Sequence, residues 1–198
     1  MKIKYYLGIL FLLSSLSNQC QSIKFNIKTG YNLSNIEYNV IVNGSSSSRE
    51  NHNRNSFYIG GEMEYPINWK SKNDTALKVG LIYSEQGNTY FETSTIINQI
   101  NLPIVLKKRM FNDFFFLAGG YLGYIFKVKD SWGTTLNDYT NFDLGATIGI
   151  QYDFDFGLYI ETRYLYGLTD ILKLEYPESL IEHENKNRVF QVGIGFNF

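Results

Sequence analysis

Two histidines, a run of four serines and one cysteine are the side chains in this chain best suited to acid–base, nucleophilic or metal chemistry. His183 stands between Glu182 and Glu184, a trio that could move a proton or offer nitrogen and oxygen ligands. His52 lies in the low-complexity segment from Asn43 to Arg54, just after Ser45-Ser-Ser-Ser48. Neither histidine has the company such chemistry needs. Metal sites space their ligands in recognisable pairs, and a serine nucleophile needs a base held beside it. A histidine among acids in a polar stretch is ordinarily part of a hydrated loop. Glu161 and Arg163, two positions apart, would share one face of a strand. That placement suits an interior ion pair better than a catalytic one. No phosphate-cradling glycine loop is present. The reading is a protein that is not an enzyme, with no catalytic, cofactor-binding or metal-binding residue assigned. A formal charge of -1 from 18 basic and 19 acidic residues also argues against nucleic acid as a partner.

The elements that would carry these residues are strands. From Arg188 to Phe198, Phe190, Val192, Ile194, Phe196 and Phe198 alternate with Val189, Gln191, Gly193, Gly195 and Asn197. Successive strand side chains point to opposite faces, so one face is wholly apolar and the other small or polar. The same alternation gives eight candidate strands: Ile23 to Tyr31, Asn55 to Tyr65, Ala76 to Glu85, Thr95 to Lys107, Phe114 to Lys127, Asn141 to Tyr152, Gly157 to Leu168, and Arg188 to Phe198. Most reach the roughly 9 to 11 residues a tilted strand needs to cross a bilayer.

The chain opens with Lys2 and Lys4, an apolar run from Leu7 to Leu13, and a polar stretch from Ser14 to Ser22. This reads as an export signal over residues 1–20, followed by one barrel domain over 21–198. Lipid modification of Cys20 is the alternative, but Ser17-Asn18-Gln19 lacks the leucine and the small residue usual before a lipidated cysteine. No other segment has the roughly 20 apolar residues of a membrane helix. An exported chain that enters a membrane without such a helix must close into a barrel, because lipid cannot hydrogen-bond the backbone.

Connection lengths alternate. Asn32 to Arg54, Val128 to Thr140 and Thr169 to Asn187 are long and polar, whereas Lys108 to Asp113 and Asp153 to Phe156 are short, and Pro66 to Thr75 is intermediate. Outer-membrane barrels pair long external loops with short periplasmic turns, which puts both chain ends on the periplasmic side. The segment around Ser45 to Ser48 is expected to be a mobile loop.

Alternation alone fits two orientations: a soluble exported barrel holding an apolar ligand, or a membrane barrel with lipid outside. The polar face separates them. Lys24, Lys28, Lys78 and Arg163 stand against Glu62, Glu64, Asp143 and Glu161, interspersed with glycine. A narrow interior requires such balance, because an unpaired buried charge costs several kcal/mol. An eight-stranded lumen is just wide enough for side chains to fill, so small residues must face large ones such as Tyr121 and Arg163. The expectation is a packed interior and not an open porin, with interfacial girdles drawn from Tyr31, Tyr65, Trp69, Tyr83, Tyr90, Phe111, Phe114, Trp132, Tyr139 and Tyr152.

Residues Ile100 to Phe198 carry a family pattern: Ile100-Asn-Leu-Pro-Ile-Val-Leu-Lys107, then Phe116-Leu-Ala-Gly-Gly-Tyr-Leu-Gly-Tyr124, then Phe142-Asp-Leu-Gly145 with Gly149. Glu161-Thr-Arg-Tyr164, Tyr166-Gly-Leu-Thr-Asp-Ile171 and the aromatic C-terminus complete it. In this order the segments resemble the PorT-like outer-membrane β-barrel family of Gram-negative bacteria; the first half matches more loosely. The resemblance implies an outer-membrane location, insertion through the C-terminal strand, a tolerated bulge or bend at Pro103, and, from the founding member, an association with type IX protein secretion. The reading is therefore an all-β, eight-stranded, antiparallel, up-and-down transmembrane β-barrel in the cell outer membrane, a monomer that requires no cofactor. Its partners would be outer-membrane lipid and, through loops or turns, other envelope or secretion proteins. A secretion accessory, the soluble apolar-ligand barrel and a loop-based hydrolase are the alternatives.

Overall fold

The computed structural model describes residues 23–42, 45–49, 52–67, 74–90, 93–130, 136–173 and 181–198. The expected export segment, Cys20, Trp69 and Trp132 lie outside these. Nine strands follow in order: β1 (Lys24–Val42), β2 (Ser45–Arg49), β3 (His52–Pro66), β4 (Thr75–Tyr90), β5 (Thr93–Phe111), β6 (Phe114–Lys129), β7 (Phe142–Asp153), β8 (Leu158–Gly167) and β9 (Ile181–Asn197). Eight of them form the wall, each antiparallel to its neighbour, and β9 pairs with β1 to close it; β2 flanks only the far end of β1.

Pairing fixes the size of the cylinder. Once round the wall, Lys24 leads to Glu64, Lys78, Val105, Gly119, Thr147, Leu165 and Val189, and Val189 pairs with Ser34. The circuit thus returns to β1 ten residues beyond its start, at 34 against 24. Such a stagger tilts the strands, and with eight of them it leaves an interior that side chains can fill.

The alternation read from sequence resolves into an inside and an outside. Phe25, Ile27, Ile59, Met63, Ile104, Ile148, Ile150, Ile194 and Phe196 all point outward and stand exposed, while Lys28, Glu62, Lys78, Asp143, Glu161 and Arg163 point inward and are buried. A soluble ligand-binding barrel would show the opposite arrangement. Aromatic chains rim the outer surface. At the short-turn end Phe111, Phe114, Tyr152 and Phe154 follow one another at 4.7 to 4.8 Å between ring centres. At the other end Phe57 meets Tyr83 and Tyr124 meets Phe142. Phe114 and Tyr124 lie ten positions apart on β6. Ten residues of a strand tilted by roughly 40° rise about 25 Å, the height of the apolar band of an outer-membrane barrel.

The short turns use residues that tolerate left-handed backbone. Asn112 has φ 44° between β5 and β6, and Gly157 has φ 93° between β7 and β8.

Four expectations change. The long connection from Asn32 to Arg54, with its expected loop around Ser45 to Ser48, is strand in its described part: β1 continues to Val42, β2 pairs with it, and β3 begins at His52. Its polar composition reads as loop, yet Ile36, Tyr38 and Val40 alternate with Glu37 and Asn39, and β9 supplies backbone partners throughout. For the same reason β9 begins at Ile181 and not at Arg188. Pro103 makes no bulge: it pairs in register with Tyr121, and the β4 ladder keeps the same register on either side of it, from Val79↔Ile104 to Ile82↔Asn101. Lacking an N–H, Pro103 interrupts bonds without displacing residues. The register shifts between β5 and β6 fall instead at Asn98–Gln99 and at Arg109–Phe111. Tyr139 joins no girdle, being only 1% exposed inside the barrel mouth.

Ile148 is exposed at mid-wall and Thr147 is buried beside it. Ile148→Arg is expected to destabilise the folded, bilayer-inserted protein by about 2–4 kcal/mol. Thr147→Ser should change it little. Urea titration in lipid vesicles measures both, and equal tolerance would contradict this facing.

Candidate functional site

The side chains with chemical potential converge inside the barrel. Strand alternation aims Lys28 of β1, Glu62 of β3, Lys78 of β4, and Glu161 and Arg163 of β8 at one level of the lumen. Arg163 grips Glu62 with both terminal nitrogens, Nη1 to Oε1 at 2.8 Å and Nη2 to Oε2 at 3.0 Å, and Nη2 also reaches Glu161 Oε2 at 2.8 Å. Lys28 Nζ lies 2.7 Å from Glu161 and 3.0 Å from Glu62, and Lys78 Nζ lies 3.0 Å from Glu62. Bidentate arginine–carboxylate pairs are the strong form of this interaction.

A second cluster sits nearer the short-turn mouth. Lys107 Nζ bonds Glu64 at 3.1 Å and Asp153 at 2.6 Å. Gln151 links the two, accepting from Lys78 and donating to Asp153. Below it the mouth opens as a vestibule of about 260 Å³ bordered by Lys24, Lys107, Arg109, Asp113, Asp155 and Phe115, among others. Lys107 and Asp153 were missed in sequence because Lys107 reads as the end of its strand and Asp153 as turn, whereas β5 runs on to Phe111 and β7 includes Asp153. Lys24, expected among the interior charges, is exposed at this mouth.

Asp143, also counted among charges needing a cation, has neutral partners. It accepts from Tyr121 Oη at 3.1 Å and Asn187 Nδ2 at 2.9 Å, with Thr169 Oγ1 at 3.5 Å. A buried carboxylate can be satisfied by donors alone, and these come from β6, β9 and the β8–β9 connection. Above it the lumen turns apolar. Tyr139 and Ile171, from the two connections flanking β7 and β8, insert over Ile36, Ile97 and Ile125 of β1, β5 and β6. A bridge between Tyr139 and Leu172, with Thr140 N–H donating to Ile171 O, ties the two connections together across the mouth.

Glycines make room for this content. A Cβ at Gly145 would collide with the Tyr121 ring, one at Gly193 with Tyr58, and one at Gly195 with Tyr159. The large-against-small matching expected for Tyr121 holds for Tyr58 and Tyr159 as well.

The histidines are not brought together: His52 of β3 pairs with Thr89, and His183 of β9 pairs with Val40. Ser45 to Ser48 pair with β1. Glu161 and Arg163 act as the ion pair their spacing implied. Among the described residues no group of three His, Cys, Asp or Glu is placed to hold a metal ion. What this interior does chemically is hold ion pairs that span the lumen.

A closed ladder with an apolar outside of bilayer height and an ion-paired interior defines a transmembrane β-barrel. The chain matches the family model of the outer membrane protein beta-barrel domain over residues 17–173 and belongs to that family. Its place is the bacterial outer membrane. Among solved structures it is similar to neisserial surface protein A, at 13% identity over 88% of this chain and 97% of that one, with a TM-score of 0.52. It is also similar to the attachment invasion locus protein Ail of Yersinia pestis, crystallised with the heparin analogue sucrose octasulfate, at 16% identity over 90% and 100%, TM-score 0.46. OprG of Pseudomonas aeruginosa follows at 10% identity over 88% and 95%, TM-score 0.47. The neisserial likeness is one of fold. No curated protein matches the chain.

Glu62→Gln removes the carboxylate that three cations share, and is expected to cost about 3–5 kcal/mol of unfolding free energy. Glu37→Gln breaks a rim pair with Arg188, where Glu37 is 43% exposed, and should cost under about 1 kcal/mol. Denaturant midpoints of the two variants test the difference.

Proposed function

We propose that this protein is a monomeric structural or interaction protein of the outer membrane, which meets envelope partners with the β-structure it raises above the bilayer and conducts no solute through its centre. One observation carries the reading. The lumen is filled by ion pairs and by an apolar plug, whereas the wall continues outward past the barrel. Beyond Ser34↔Arg54, the last β1–β3 pair, β1 and β9 remain paired over eight further positions, from Asn35↔Arg188 to Val42↔Ile181. With β2 alongside, they make a three-stranded ribbon on the long-loop side, the external side in barrels of this kind. A ribbon with paired backbone presents side chains at fixed spacing, so it can recognise a partner without first being ordered.

A second reading rests on the ordered segments from Ile100 to Phe198 that resemble PorT-like barrels: an accessory role in type IX secretion, through the short-turn mouth.

Two outcomes test these readings. Intact outer membranes carrying wild-type protein should retain a crosslinked envelope partner that is lost when residues Gly44 to Asn53 are deleted, with the barrel still folded by its heat-modifiable mobility on gels. Capture unchanged by the deletion would remove the ribbon from the reading, and secretion defects with capture unchanged would favour the second. For the export signal over 1–20, mass spectrometry of the purified protein should find a chain beginning at Gln21. An acylated Cys20 would replace that expectation.

A further inference from the structure

The core ion cluster is unequal. Lys28, Lys78 and Arg163 bring three positive charges and Glu62 and Glu161 two negative ones, and all five side chains are at most 3% exposed. Towards the short-turn mouth, Lys107 meets two carboxylates, Glu64 and Asp153. Asp153 is 21% exposed there and bordered by the open vestibule, so water shares its charge. In the other direction the next charge is Asp143, held by neutral donors. It stands six positions along β7 from Gly149, the residue paired with Arg163. The driest layer of the barrel therefore holds one more cation than carboxylate, and the nearest further carboxylate, Glu64 across the strands from Lys78, is bonded to Lys107. Such an imbalance costs several kcal/mol unless something offsets it.

A second observation lies beside the same cluster. A void of about 20 Å³ is bordered on one side by Ile82, Pro103 and Leu165 and on the other by polar groups that include Lys28, Arg163 and Thr147, so its lining holds two cations and no carboxylate. Arg163 spends both terminal nitrogens on Glu62 and Glu161, and its Nε–H finds no acceptor in the protein. Thr147 Oγ1 likewise has no hydrogen-bond partner in the protein. Arg163 is 3% exposed and Thr147 is 4% exposed. A guanidinium N–H can only donate, so what satisfies it must be an acceptor. The void has room for one atom of water or halide size. Water would satisfy the donors but leave the charge.

The geometry points to a small-anion site inside the barrel: one chloride ion accepts hydrogen bonds from Arg163 Nε and Thr147 Oγ1 and balances the third cation of the core. It takes no part in partner recognition, and it stands or falls independently of the external ribbon.

Crystals of the wild-type protein grown in sodium bromide should show an anomalous scattering peak between Arg163 and Thr147. In detergent at constant ionic strength, replacing gluconate by chloride should raise the unfolding temperature along a saturating curve, as ligand binding to the folded state requires. Thr147→Val should shift that curve to roughly tenfold or more higher chloride, the effect of one hydrogen bond to a charged group. Lys28→Met, which leaves two cations against two carboxylates, should abolish the dependence. Absence of a bromide peak overturns the site. So does a chloride dependence that Lys28→Met leaves unchanged. Should Lys28→Met fail to fold, the wild-type bromide peak alone decides.

Discussion

Hydrocarbon offers no hydrogen-bond partner to a peptide group, and nearly everything in this molecule follows from that one deficiency. A sheet in lipid must have no edge, so β9 returns to pair with β1. Closing eight strands at this stagger leaves a lumen only a few side chains across. The residues facing it cannot be apolar throughout either, because the chain commits its apolar alternate positions to the lipid. What remains is a narrow space filled with polar groups that must satisfy one another, and the ion network is the form this takes.

Glutamate 62 is its hub, touching Lys28, Lys78 and Arg163. The members come from β1, β3, β4 and β8, so the cluster spans the lumen and braces opposite walls. Glycines at 145, 193 and 195 allow the three large tyrosines to lie across the same space. Charge pairing and the large-against-small fit thus work as one: neither Tyr58 nor Tyr159 could lie where it does with a methyl group on the facing strand. The apolar plug at the external mouth completes the filling with chemistry of the opposite kind.

Much of this was readable in the chain, because a period of two is a strong signal where one face meets lipid. All eight wall strands and the ion-paired role of Glu161 and Arg163 follow from alternation, and the sense of their faces from the balanced charges and glycines of the polar one. What escaped did so where lipid no longer sorts the residues. Above the bilayer no lipid sorts the residues, so the alternation of Ile36, Tyr38 and Val40 with Glu37 and Asn39 is too brief to stand out from the polar run after it, and Glu184 to Asn187 are polar at every position. Asp153 is the last residue of β7 and reads as turn, and Lys107, which alternates inward with Val105, finds its two carboxylates only once β3 and β7 are placed around it. The placement of Tyr139 depends on a long connection folding back into the mouth, which no periodicity encodes.

The pairing of β1 with β9 also sets the order in which the molecule can be made. Lys28 reaches across 133 positions of sequence to Glu161, and the seam joins the first wall strand to the last. Contacts so distant in the chain form slowly, and until they form every partial sheet carries two open edges. No portion of the barrel can settle before the whole chain has been delivered. A chain whose seam joins its first and last wall strands stays extended and aggregation-prone until the last of them is at hand.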